Sequence, residues 1–192
     1  MTPCYVVTDI EVDGPIPGKN SMLALASVAV DSTGRRLGEF QVTVAALPDA
    51  TSDPHTFNWW HNHPEAYIAA TTNAQPAEKA IGKYVKWVRS LPGDPVFASH
   101  PLAMDAPWID HYLQRFAGIR FLKGPWDGER LFHGGGMCLK SYAAGRLGWP
   151  LWQCSIANYR DDWLGHQDHT HKAIDDARGY AYLLAHLLTL RE

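Results

Sequence analysis

The sequence predicts an α/β domain with a mixed central sheet flanked by helices, and three observations carry that prediction. The first quarter holds three strand-like runs. From about residue 76 onward helical periodicities take over, interrupted by one more short strand. No repeat, low-complexity segment or linker divides the 192 residues, so residues 1–192 read as a single domain with a full-sized core.

The elements follow in order. Residues 5–10 are a short apolar run ending in acids, the mark of a buried strand. Residues 22–30 (MLALASVAV) form a second strand. The Asp31-Ser32-Thr33-Gly34 turn leads into alternating residues 38–44, and together these give a hairpin signal. The chain therefore opens on a three-strand meander. Pro76 starts a helix over 76–90, with Ile81, Tyr84, Val85 and Val88 on one face. Pro92-Gly93-Asp94 breaks it, and 95–99 (PVFAS) is a strand. A helix over 104–117 carries the stripe Trp108, Ile109, Tyr112, Leu113 and Phe116. After the loop at Gly134-Gly135-Gly136, residues 137–147 read as helix and 148–169 as irregular. Thr170 suits the N-cap of a last helix reaching residue 190.

Composition narrows the function classes. Net charge is −3 with histidine neutral, so there is no broad basic face for gripping long duplex DNA. An enzyme that holds one strand end through bound cations is not excluded, because such ions become the largest local charges in a site. Eight tryptophans can be core or base-stacking platforms. Cys4, Cys138 and Cys154 are widely spaced and form no C-x-x-C pair, which reads as free thiols in a reducing compartment. No membrane-spanning run or leader pattern is present, so the expectation is a cytoplasmic protein with no membrane partner.

Four carboxylates stand out. Asp9 and Glu11 are two apart at a strand end, and alternation puts both on one face of the sheet. Two adjacent anions repel unless a cation sits between them; the alternative is a pair of solvated acids at a fraying strand. Asp105 falls within the apolar stripe of its helix, whereas Asp110 falls well off it. A carboxylate on a buried stripe needs a partner, although an N-cap for the helix is the competing explanation. In the last helix Asp175 points away from the stripe of Ala173, Ile174, Ala177, Ala181, Leu184 and Leu188 and reads as solvated. Asp176 lies on the flank beside Tyr180 and Leu183. His171 precedes the regular helix and alone would read as an exposed first-turn histidine.

Taken together, these residues resemble the motifs of the DEDDh exonucleases, the superfamily of ribonuclease T, oligoribonuclease and the polymerase proofreading domains. The D-x-E-x-x-G motif stands as Asp9-Ile10-Glu11-Val12-Asp13-Gly14. The second motif, an Asp opening a helix shortly after a buried strand, matches Asp105 behind residues 97–104. H-x-A-x-x-D stands as His171-Lys172-Ala173-Ile174-Asp175-Asp176. The chain departs from many relatives in having His100-Pro101 where they carry an Asn. The Thr56-Phe57-Asn58-Trp59-Trp60 run is similar to a T-x-x-W-W stretch of the small exoribonuclease branch.

The resemblance implies a ribonuclease H-like fold, an antiparallel three-strand meander joined to parallel strands. It also implies 3′→5′ hydrolysis of single-stranded RNA or DNA to nucleoside 5′-monophosphates. Asp9, Glu11, Asp105 and Asp176 would hold two Mg²⁺ or Mn²⁺ ions, with Glu11 also serving catalysis and His171 acting as general base. Substrate contacts are expected from the backbone at Val12 and Gly14, from Asn20, Ser21 and Met22, and from His100 at the strand end. Trp60 is the candidate stacking residue, with core as its alternative; Trp59 reads as core, and His61 and His63 as a surface rim. A homodimer is a further expectation by resemblance. Three rivals remain: a catalytically silent nucleic-acid-binding module on the same fold, an endonuclease of the wider ribonuclease H-like class, and a zinc hydrolase built on His166, Asp168, His169 and His171.

Overall fold

The computed structural model describes residues 2–125 and 128–190. Its centre is a five-stranded sheet of order β3-β2-β1-β4-β5, built from β1 (Pro3–Val12), β2 (Met22–Asp31), β3 (Arg36–Thr43), β4 (Asp94–Ser99) and β5 (Met137–Cys138). The first three strands form an antiparallel meander, while β4 pairs parallel to β1 and to β5. The predicted mixed sheet is thus observed, with two differences. β1 extends beyond 5–10 at both ends. β5 was read as the start of a helix; its two residues carry too little pattern to signal a strand.

Helices cover both faces, which is why β1 and β2 are nearly continuous apolar runs. Even-numbered Val6, Ile10 and Val12 of β1 face α3 (Ala77–Ser90) and α4 (Leu102–Ala117). Odd-numbered Val7 faces the opposite layer, formed with α5 (Leu139–Leu147) and α6 (Ala173–Thr189). This alternation assigns Asp9 and Glu11 to the α6 side. Two short helices missing from the prediction, α1 (Pro54–His61) and α2 (Pro64–Thr71), complete the wall beyond the end of β1. Each begins with a proline in its first turn, a signal present in the sequence. The stretch predicted as irregular holds three 3₁₀ turns, Leu151–Gln153, Ile156–Asn158 and Asp161–Leu164.

Two helix starts differ from expectation. α4 begins at Leu102, so Asp105 lies inside its first turn and caps nothing, which removes the N-cap explanation. α6 begins at Ala173, so Thr170 is not its N-cap. Instead the Thr170 amide donates to Asp176 Oδ1 at 3.1 Å and its hydroxyl to Asp175 Oδ2 at 2.9 Å, tying the preceding loop to the helix. The buried face of α6 is also wider than the predicted stripe and includes Asp176, Tyr180, Leu183 and Leu187. No described helix is long and apolar enough to cross a membrane.

Candidate functional site

Three elements converge at the C-terminal end of β1. Asp9 and Glu11 come from β1 and Asp176 from α6, and one carboxylate oxygen from each lies within 4.8 Å of the other two. Asp105 of α4 stands close enough that its charge raises the pKa values of Asp9 and Glu11. Glu11 is 8% exposed, Asp105 3% and Asp176 4%. Helical phase and strand alternation had selected this set. Asp110, set aside on phase, is spent on Arg120 at 2.6 and 2.9 Å and on the Phe121 amide at 2.8 Å. Asp175, expected to be solvated, is half-buried and bonded to Thr170 and Arg178.

Electrostatics show what the cluster lacks. Burial pushes Asp9 well above the ordinary carboxylate range, and Glu11, Asp105 and Asp176 push it further. Glu11 is raised by burial, then by Asp176 and Asp105. Burial takes Asp105 up to about 7. Among the described residues, no Lys or Arg pairs with any of the four. Buried anions without counter-charge are costly, and all-oxygen donors of this kind fit hard divalent cations. The residues present therefore suit one or two such ions.

His171 stands beside the carboxylates with its backbone in the left-handed region at φ 58°, a conformation uncommon outside glycine. Its ring meets the edge of Trp59 at 5.0 Å, His63 at 4.8 Å and His169 at 4.5 Å. Burial and the neighbouring His169 and His63 lower its pKa, against the pull of Asp176. His169 Nδ1 lies 3.0 Å from Asp176 Oδ2. His166 turns away to pair with Asp161 at the surface, so the zinc set proposed from sequence is not assembled as a whole.

The predicted substrate residues divide into two groups. Glu11, Val12, Gly14 and Trp60 line a cavity of about 420 Å³ with Pro15, Met104, His55, Thr56 and Trp59. Asn20, Ser21 and Met22 are buried away from it. The Asn20 amide bonds the Ile16 amide and the Thr51 carbonyl, and Ser21 Oγ accepts from Leu47 N. Gly14 has a local reason too: a Cβ there would meet the Asn20 side chain at 2.3 Å. His100 is half-buried, stacked on Tyr180 at 4.8 Å and bonded to the Tyr159 hydroxyl at 3.0 Å; burial lowers its pKa to about 4.

Trp60 takes its core alternative, and Trp59, expected in the core, is the more exposed of the two. Trp60 is 3% exposed and donates Nε1–H to the Val12 carbonyl at 3.0 Å, so it pins the end of β1 and presents no free face. Trp59 is 38% exposed, stacked on His63 at 4.0 Å. The signal that could have found this is the four-residue spacing of Trp59 and His63, which places both on one side. Met104 was missed, since neither spacing nor residue type marked it; His169 was marked only as a member of the zinc alternative, not as a partner of Asp176.

With this geometry in place, the chain can be compared with known structures. No protein-family model matches it, and neither does any curated protein sequence. Solved structures do match. The nuclease domain of 3′hExo, a DEDDh family member bound to rAMP, aligns with a TM-score of 0.67 at 12% identity, over 97% of this chain and 91% of that one. The fold is that of the DEDDh exonucleases. A 3′-exonuclease in a structure of histone mRNA stem-loop recognition gives 0.61 at 12% identity, over 97% and 81%. Exonuclease I from Methylocaldum szegediense gives 0.63 at 17% identity, over 95% of this chain and 39% of that one. The DEDDh-like sheet order places β1, α4 and α6 together, which is why residues so distant in sequence share one site.

Proposed function

We propose that the chain is a divalent-metal-dependent 3′→5′ exonuclease acting on single-stranded nucleic acid. The observation that carries this reading is the convergence beside His171 of four carboxylates from β1, α4 and α6 that have no Lys or Arg partner among the described residues. Asp9, Glu11 and Asp176 would hold the cation, with Asp105 completing the set for a second; Mg²⁺ or Mn²⁺ suits these oxygens. When bound, such ions supply Lewis acidity and neutralise charge developing on the phosphodiester. His171, kept neutral near pH 7 by its lowered pKa, takes the proton from the attacking water. Its left-handed backbone and the surrounding Trp59, His63 and His169 rings fix where that proton goes.

The adjacent cavity supplies the end specificity. Its volume of about 420 Å³ is in the range of small-ligand pockets. Trp59 and Met104, both exposed at its rim, offer apolar surface for a terminal base. Structural neighbours add support: one holds rAMP, another is described with histone mRNA stem-loop, and an E. coli exonuclease I structure contains single-stranded DNA.

The test uses 5′-labelled RNA and DNA oligonucleotides with Mn²⁺ or EDTA, the same strands circularised, and the H171A and D105A variants. A one-nucleotide ladder from linear strands that needs metal and both residues is expected. Cleavage of circles, metal-independent cleavage, or full activity in both variants would refute the reading. Whether RNA or DNA is preferred comes from the same gel.

A further inference from the structure

The four carboxylates do not account for His169 or His63. His169 approaches the same Asp176: one donor atom each of His169, His171 and Asp176 lies within 4.8 Å of the other two. His169 Nδ1 is already 3.0 Å from Asp176 Oδ2, and the His169 and His171 rings meet edge-on at 4.5 Å. His63, whose ring is 4.8 Å from that of His171, uses Nδ1 on the Trp59 carbonyl at 3.0 Å. Its Nε2 makes no hydrogen bond to the described residues.

We propose that His169, His171 and Asp176 form a second, nitrogen-rich metal site of the zinc class, with the fourth position open. Donors in a tetrahedral zinc site lie about 2 Å from the ion, hence about 3.3 Å from one another. The His169–Asp176 pair already meets that spacing. The remaining donors, within 4.8 Å of one another, close in by at most about 1.5 Å to reach that spacing, a movement that imidazole torsions supply. Chemistry separates this site from its neighbour: two imidazoles and a carboxylate favour a borderline transition ion, whereas Asp9, Glu11 and Asp176 offer oxygen alone.

The consequence rests on the nuclease reading above. A zinc-class ion here takes the lone pair of the His171 imidazole that would otherwise accept a proton, and it draws Asp176 out of the carboxylate set. Zinc is therefore an inhibitor that acts by occupying the base, and Mg²⁺ or Mn²⁺ at the all-oxygen site does not substitute for it.

The decisive experiment reads binding independently of activity. The full chain carrying D9N and E11Q, which removes the all-oxygen set, is titrated with Zn²⁺ while long-range ¹H–¹⁵N NMR follows the histidine ring nitrogens. One equivalent is expected to shift the ring nitrogens of His169 and His171, and excess Mg²⁺ should not reverse it. Adding H169Q should weaken zinc by roughly 100-fold or more, beyond the ~10–100-fold that loss of an outer-shell partner costs. Unmoved His169 and His171 resonances, reversal by Mg²⁺, or unchanged zinc affinity in folded H169Q protein would each overturn the proposal. Because the NMR arm uses no variant of the imidazoles, it decides even if H169Q fails to fold. Zinc shifts without a nucleotide ladder would sink the nuclease reading alone; a ladder without zinc shifts would sink this site alone.

Discussion

Asp105→Asn offers a test of the site that needs no substrate. Asparagine keeps the shape of the side chain and removes its charge. Burial raises the Asp105 carboxyl from 3.8 to about 7, which corresponds to about 4 kcal/mol against the ionised form at about 1.4 kcal/mol per pKa unit. The sign follows from proton counting. Between about pH 4 and 7 the folded protein holds a proton that the unfolded chain has released, so stability falls as pH rises. Above 7 both states are ionised and the whole cost is present; below 3.8 both are protonated and it vanishes. In EDTA at pH 8, D105N should therefore be more stable than the parent by up to about 4 kcal/mol, with the difference closing by about pH 4. Urea unfolding of both proteins at pH 4.5, 6 and 8 measures this. Mn²⁺ should reverse the order, because the parent gains stability by binding and D105N gains less. Equal stability of the two proteins in EDTA at pH 8, or a gap that widens toward acid, would show that Asp105 is not a buried uncompensated carboxylate.

Other outcomes follow from the same geometry. H171A should lower hydrolysis by about 10²–10⁴-fold while leaving Mn²⁺-induced thermal stabilisation in place, as single-turnover kinetics and melting curves would show. The acid limb of kcat/KM should fall below pH 6.5, because His171 must be neutral to act and its pKa is lowered from that value; a limb at higher pH in the parent would contradict the assignment. W60F should cost about 1–3 kcal/mol in urea unfolding, since it leaves the Val12 carbonyl without its indole donor. W59A should change stability by no more than about 0.5 kcal/mol but raise KM for oligonucleotides, and an unchanged KM would remove Trp59 from the substrate wall.

Much of this arrangement was legible before any coordinates, for reasons of period. Long runs such as β2 and α4 repeat their signal enough times to fix type and face. Asp105 and Asp176 were separable from Asp110 and Asp175 because helical phase distinguishes neighbours by about 100°. What escaped was short or dependent on tertiary contact. β5 has two residues. Trp59 and Trp60 are chemically identical, and it is tertiary contact, including the Val12 carbonyl and Tyr67, that distinguishes the one turned inward. His169 stood out only within a histidine-rich stretch, and its pairing with Asp176 depends on a helix that starts four residues later. Asn20, Ser21 and Met22 lie close in sequence to the first carboxylates, yet the Asn20 and Ser21 side chains serve the loop that closes behind the strand and Met22 packs in the core.

That loop has a thermodynamic consequence of its own. The buried Asp13 carboxylate accepts from the Ser21 amide and from Ser52 Oγ, while the Asp13 carbonyl accepts from Asp53 N at 2.7 Å, the residue that caps α1. Asp13 thus latches three stretches of chain through its side chain and its backbone carbonyl before any ligand arrives. Oligonucleotide binding should proceed as docking onto a finished surface, with little ordering entropy to overcome. Breaking the latch with D13A would convert docking into coupled folding, and calorimetry would register the change as a more negative heat capacity of binding.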